Sequence, residues 1–164
     1  MMTVAAELCY GQVDAFMLVG KRAQRYDSKI GLGGFIKLGV PVSVADEITA
    51  EVAFIGWDEY LSGYIPLKAG YHYTLNREGY GWFVEPQVGY TLLGYDPNHS
   101  DYFEDSPFNG PVATLQFGYR FGQGKQKGDL SLRYENVFSN IGTFSTIGLR
   151  FAVSLGIGRR AYYE

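Results

Sequence analysis

Apolar and polar residues alternate along almost the whole chain, and that period of two constrains the fold more than any other feature. A strand turns successive side chains to opposite faces, so sustained alternation means a sheet with one greasy side and one polar side. Residues 82–94, WFVEPQVGYTLLG, put Trp82, Val84, Pro86, Val88, Tyr90 and Leu92 on one side. Phe83, Glu85, Gln87, Gly89, Thr91 and Leu93 fall on the other. The same reading predicts strands over 30–42, 47–57, 61–75, 111–121, 129–138 and 145–157. An eighth, over 13–20, is blurred, because Asp14 shares a parity with Phe16 and Leu18. No helical period of any length competes with these assignments.

The connections have a rhythm of their own. SVAD, NREG and GQGKQKG are short and rich in turn residues, and they fall at every second connection. Between them come KRAQRYDS, the intermediate DEYLS and SNIGT, and the long YDPNHSDYFEDSPFNG. Consecutive antiparallel strands joined this way close into an eight-stranded up-and-down β-barrel. The 164 residues suffice for one such domain, taken as 13–157. Residues 1–12 lack a basic segment followed by a long apolar one, and read as either a signal remnant or an N-terminal extension. Residues 158–164 read as a tail or the end of the last strand. The single cysteine, Cys9, excludes an intramolecular disulfide, and a net charge of −3 gives no reason to expect a nucleic-acid partner.

Alternation does not say which face is inside. A soluble barrel of the lipocalin type would turn its apolar face inward around a ligand, whereas a membrane barrel turns it outward. The make-up of the polar face decides for the second. It mixes Lys37, Lys68, Arg120, Arg133 and Arg150 with Glu51, Glu85 and Glu135, among many Gly, Ser and Thr. A narrow lumen needs small residues for room and opposite charges for neutrality, while a solvated face carries long charged side chains throughout. On the seven clear strands the apolar face, in turn, carries no Lys, Arg, Asp or Glu in mid-strand. One such charge would cost roughly 2–4 kcal/mol at a bilayer midplane. Tyr71, Tyr73, Tyr80, Trp82, Tyr119 and Phe121 gather beside the short turns, where an aromatic girdle meets the lipid headgroups. The expected lumen network is Lys37, Glu51, Lys68, His72, Glu85, Gln87, Gln116, Arg120, Arg133, Glu135 and Arg150. His72 is expected to hydrogen-bond a carboxylate or Tyr64, and the paired charges to plug the barrel rather than line a pore.

On this pattern, and on the grouping of short turns at one end, the chain resembles the small eight-stranded outer-membrane β-barrels of Gram-negative bacteria. The resemblance covers about 13–157 and implies an outer-membrane location, with the bilayer and lipopolysaccharide as partners and other envelope proteins as further ones. It also implies no cofactor, and an integral structural or interaction role in the cell envelope. The alternatives are a porin-like pore, a lipid A-modifying enzyme and the soluble barrel. The family's terminal aromatic is replaced by GRRAYYE, with Tyr163 next to last. GIGRRA matches a dinucleotide-binding pattern without the helix and second strand it requires, and GQGKQKG is a turn rather than a phosphate loop. The 95–109 segment holds Asp96, Asp101, Glu104 and Asp105, which could hold a hard cation but read first as a solvated acidic loop. His99, Ser100 and Asp101 are neighbours in sequence, which does not make a catalytic triad.

Overall fold

The computed structural model describes residues 6–20, 30–57, 63–76, 78–95, 109–122, 126–139 and 142–157, with the backbone alone for the first strand. Eight strands follow one another: β1 (Ala6–Gly20), β2 (Ile30–Pro41), β3 (Asp46–Trp57), β4 (Gly63–Thr74), β5 (Gly81–Tyr95), β6 (Gly110–Phe121), β7 (Gln126–Ser139) and β8 (Gly142–Ile157). Each pairs antiparallel with the next, and β8 pairs with β1 from Ala6↔Ile157 to Gly20↔Phe144, so the sheet closes into a barrel. Closure leaves no unpaired strand edge.

Seven of the strands lie within a few residues of the bounds read from alternation. β1 differs: it begins at Ala6, well before Val13. The cause is a bulge between Gly11 and Val13, which leaves Gln12 without a register partner on β8. A bulge residue shifts the pleat by one, so parity reverses across it. Leu8 and Tyr10 are register partners of Leu38 and Ile36, and beyond the bulge it is Ala15 and Met17 that oppose Leu32 and Ile30. With that one-residue slip the blurred strand becomes a regular one.

The bulge also satisfies the geometry of closure. Register partners lead round the barrel from Cys9 through Lys37, Glu51, Lys68, Gly89, Val112, Val137 and Phe144 to Gly20. One circuit therefore climbs β1 from position 9 to position 20, one step of which is the bulge residue. The remaining offset is even, as it must be for inward face to meet inward face. An offset of this size means strands tilted by about 35–45° to the barrel axis.

The apolar face points outward. Val88 is 67% exposed, and Leu115, Leu132, Leu149 and Phe151 are exposed with it, while Lys68 and Arg150 are buried inside. A soluble barrel wrapped round an apolar ligand would have the reverse arrangement, so that alternative is set aside.

At one end the short turns pack together. Val42 and Ser43 donate backbone N–H groups to the Asp46 carbonyl, and the Ser43 hydroxyl donates to Asp46 Oδ2 at 2.5 Å. Thr74 N donates to the Ala45 carbonyl at 2.9 Å, tying this turn to the start of the next. Gly79, with φ of 73°, sits so close to Val44 that a Cβ there would lie 2.6 Å from its carbonyl oxygen. Only glycine suits both demands. The opposite end, which carries the connections 21–29, 58–62, 96–109 and 140–141, is here termed the loop end.

Candidate functional site

The most elaborated chemistry of the described residues lies inside the barrel. Every second residue of a strand faces the axis, and eight strands leave room only for side chains. Among the described residues, five cations (Lys37, Lys68, Arg120, Arg133, Arg150) and five carboxylates (Glu47, Glu51, Glu85, Asp129, Glu135) are buried there. The numbers match, which a low-dielectric interior demands.

The ions form linked tiers. Nearest the short turns, Arg120 donates through Nε and Nη2 to both oxygens of Asp129, at 2.8 and 3.0 Å, and through Nη1 to Glu47 Oε1 at 2.6 Å. Lys127 stands 3.8 Å from Glu47 at the rim. One level further in, Glu85 is the hub. Its Oε2 accepts from Lys37 at 2.9 Å and lies 3.1 Å from His72 Nδ1. Its Oε1 accepts from Thr49 and from Gln87, at 2.9 and 2.8 Å. His72 also lies against Phe83, ring centroids 4.4 Å apart. The β4–β5 ladder skips His72 and Tyr71 opposite Glu85 and Pro86, because proline has no N–H to give.

The middle tier is built on Lys68. Its ammonium sits between Glu51 at 3.0 Å and Glu135 at 2.7 Å. Glu51 also pairs with Arg150 at 2.9 Å, and Arg150 reaches Gln116 Oε1 at 3.1 Å, while Gln116 donates to Ser131 at 2.8 Å. The Arg150 guanidinium lies 3.2 Å from the centroid of the Phe35 ring, a cation–π contact. Arg133 adds its charge beside Glu51 and Glu135. Glu135 accepts further from Thr114 at 2.8 Å and from the Tyr64 hydroxyl.

Toward the loop end the lumen becomes apolar. Ile55 and Tyr64 are register partners on β3 and β4, Val112 and Val137 on β6 and β7, and all four are buried. Buried ions nearer the short turns thus give way to apolar side chains toward the loop end.

Lys68 fits because β5 approaches it closely. A Cβ on its register partner Gly89 would lie 2.0 Å from the Leu67 carbonyl oxygen and 2.7 Å from Lys68 Cα. Gly118 presses on Ser131 and the Leu130 carbonyl in the same way. The small residues of the polar face are thus where strands crowd together.

All eleven residues of the expected network are buried in the lumen: Lys37, Glu51, Lys68, His72, Glu85, Gln87, Gln116, Arg120, Arg133, Glu135 and Arg150. Of the two partners expected for His72, the carboxylate is Glu85, and Tyr64 instead holds Glu135. Glu47 and Asp129 join the network although it was drawn without them. They stand in phase with Glu51 and Arg133, and that parity was the signal available for them. Of the expected girdle, Tyr71, Trp82, Tyr119 and Phe121 are exposed on the outer wall, with Tyr73 and Tyr80 half-buried beside them. Trp82 stacks on Phe117 at 5.2 Å and meets Tyr119 edge-on at 5.3 Å. The Glu78 carboxylate, hydrogen-bonded to Tyr80 in the turn, pushes its phenol above the ordinary range. Asp96, His99, Ser100, Asp101, Glu104, Asp105 and Tyr163 lie outside the described residues.

No protein-family model matches this sequence, and no curated protein does. Solved structures do match in shape. Neisserial surface protein A shares 11% identity at a TM-score of 0.69, over 92% of this chain and 96% of its own. Ail, the attachment invasion locus protein of Yersinia pestis, shares 12% at a TM-score of 0.57, over 94% and 100%. A second Ail structure, in complex with the heparin analogue sucrose octasulfate, gives 13% at 0.52 over the same shares. Both are outer-membrane β-barrel proteins of Gram-negative bacteria, and the fold of this chain is theirs: antiparallel strands curled into a barrel with a greasy outer wall and a polar interior.

Proposed function

We propose that this chain is an integral outer-membrane protein with a structural or interaction role, a sealed scaffold rather than a pore or an enzyme. It displays the acidic 95–109 segment on the outer side and works alongside lipopolysaccharide and other envelope proteins as a subunit of an envelope complex. The observation that carries this is the pairing of an outward apolar wall with a lumen of neutralised ions. An apolar exterior is stable only against hydrocarbon. A conducting lumen needs a continuous water path, and the burial of Lys68, Arg150, Gln116 and Phe35 inside the barrel, with Ile55, Tyr64, Val112 and Val137 beyond them, supports a closed one. β5 ends and β6 begins at the end opposite the short turns, and barrels of this class keep short turns periplasmic and longer loops outside, which supports that reading.

Two measurements test the reading. Membrane fractionation followed by a gel with and without boiling is expected to place the protein in the detergent-requiring fraction, with a mobility that changes on heating. In planar bilayers the folded protein is expected to be silent. A protein that stays in solution without detergent would overturn the membrane assignment. Regular single-channel steps would overturn the sealed lumen.

A further inference from the structure

Among the described residues, the strands of the outer wall carry one polar spot away from the short turns, and it sits at a definite height. Among the described outward residues of the strands, those neither apolar nor aromatic are Asp46 beside the short turns and Asn136, Thr143 and Ser145 on β7 and β8. Asn136 and Ser145 are register partners. The Ser145 hydroxyl donates to Asn136 Oδ1 at 2.6 Å, and Tyr134 is exposed on the same outer face of β7, two residues before Asn136. The circuit of register partners that climbs from Cys9 reaches Val137 and Phe144 one step before Gly20, the last residue of β1. The spot is therefore at the loop-end rim of the wall, beneath the two-residue connection 140–141.

Polar groups facing lipid need hydrogen-bonding partners, since hydrocarbon offers none. This cluster satisfies itself only in part: an amide brings two donors and two lone pairs, and each hydroxyl adds more. It carries no charge, and an anionic phosphate would call for Lys or Arg. We infer that Tyr134, Asn136 and Ser145 dock an outer-leaflet glycolipid at the level where its acyl chains meet the sugar. Amide-linked hydroxyacyl groups present neutral donors and acceptors together at that depth, whereas glycerophospholipid esters present acceptors alone. The inference rests on the outer-membrane reading above and assigns a place on the wall to the lipid.

The test titrates the folded full-length barrel, in detergent, with lipid A and separately with phosphatidylglycerol. Native mass spectrometry reads the lipid retained. Wild type is expected to retain lipid A in preference to phosphatidylglycerol. Asn136→Leu combined with Ser145→Ala is expected to weaken lipid A retention about tenfold and leave phosphatidylglycerol unchanged. Both changes make the wall more apolar, so the variant should keep its heat-dependent mobility. Tyr134→Phe, which removes one hydroxyl and keeps the ring, is expected to give a smaller loss and serves if the double variant does not fold. Wild type without preference, variants that retain lipid A as wild type does, or equal losses for both lipids would each overturn the proposal. A barrel that passes the heat-mobility test yet shows no preference sinks this site alone; one that fails fractionation sinks the membrane reading instead.

Discussion

Lys68 is the residue on which the interior most depends, because two carboxylates on different strands share its charge. Replacing it with Met leaves Glu135 to Tyr64, Thr114 and the field of Arg133, and Glu51 to Arg150. Breaking a buried pair from one side costs about 3–5 kcal/mol. The unfolding midpoint in urea, measured from lipid vesicles, is expected to fall accordingly. Combining Lys68→Met with Glu135→Gln should cost less than the two single changes added together, because the second removes the charge the first had stranded. Gly89→Ala probes the same place from the backbone. Its Cβ would strike the Leu67 carbonyl, which is main chain and cannot swing aside. Overpacking of that kind costs about 1–3 kcal/mol, and a smaller heat-shifted fraction on the gel would register it. At this scale the sequence is informative about composition and silent about pairing. Parity put Lys37, Lys68, Glu51, Glu85 and Glu135 on one face, but it carries no information on which strand faces which across the axis. That depends on the offset accumulated round the barrel, so Lys68 with Glu135, 67 positions apart, could not be read in advance.

Among the elements, β1 shows where a one-dimensional pattern misleads. Its residues in register with the outward residues of β2 and β8 keep a period of two on either side of Gln12 but change parity across it. A window laid over the strand averages two phases and finds none, so only its second half stands out as a strand in the sequence. The other seven strands lack an inserted residue of this kind on an otherwise regular face, or carry it near an end as β5 does at Leu92, skipped between Ile65↔Leu93 and Pro66↔Thr91, and their bounds were legible. Deleting Gln12 tests the account. Without it Gly11 and Val13 become consecutive opposite Ala152 and Phe151, the climb from Cys9 to Gly20 becomes even, and both halves of β1 share one parity with no bulge. The yield of heat-modifiable protein is expected to stay close to wild type, whereas deleting Gln12 and Val13 together should lower it sharply, because Asp14 would then follow Gly11 and one half of β1 would turn its inward residues outward.

For the molecule as a whole, the fold was legible because its signals agree: alternation, turn chemistry, alternating connection lengths and the sign balance of the polar face all require the same object. The division into a greasy wall and an ionic interior follows from strands of 12 to 16 residues obeying one rule, as β8 does from Gly142 to Ile157. What the same signals did not convey is the change along the axis, from the Arg120–Asp129–Glu47 cluster near the short turns to Ile55, Tyr64, Val112 and Val137 toward the other end. That gradient is a property of the assembled circle, since each strand contributes only one or two members to each level. The pairing of Ala6 with Ile157 shows how fully the circle has replaced the line. Every strand has two hydrogen-bonded neighbours, and the first and last are no exception. A gene rearranged so that a short glycine–serine bridge joins 157 to 6, with new ends opened at 140–141, should encode the same barrel. Circular permutation would then yield protein of unchanged heat-dependent mobility, whereas a chain that needs its original starting point in order to fold would give none.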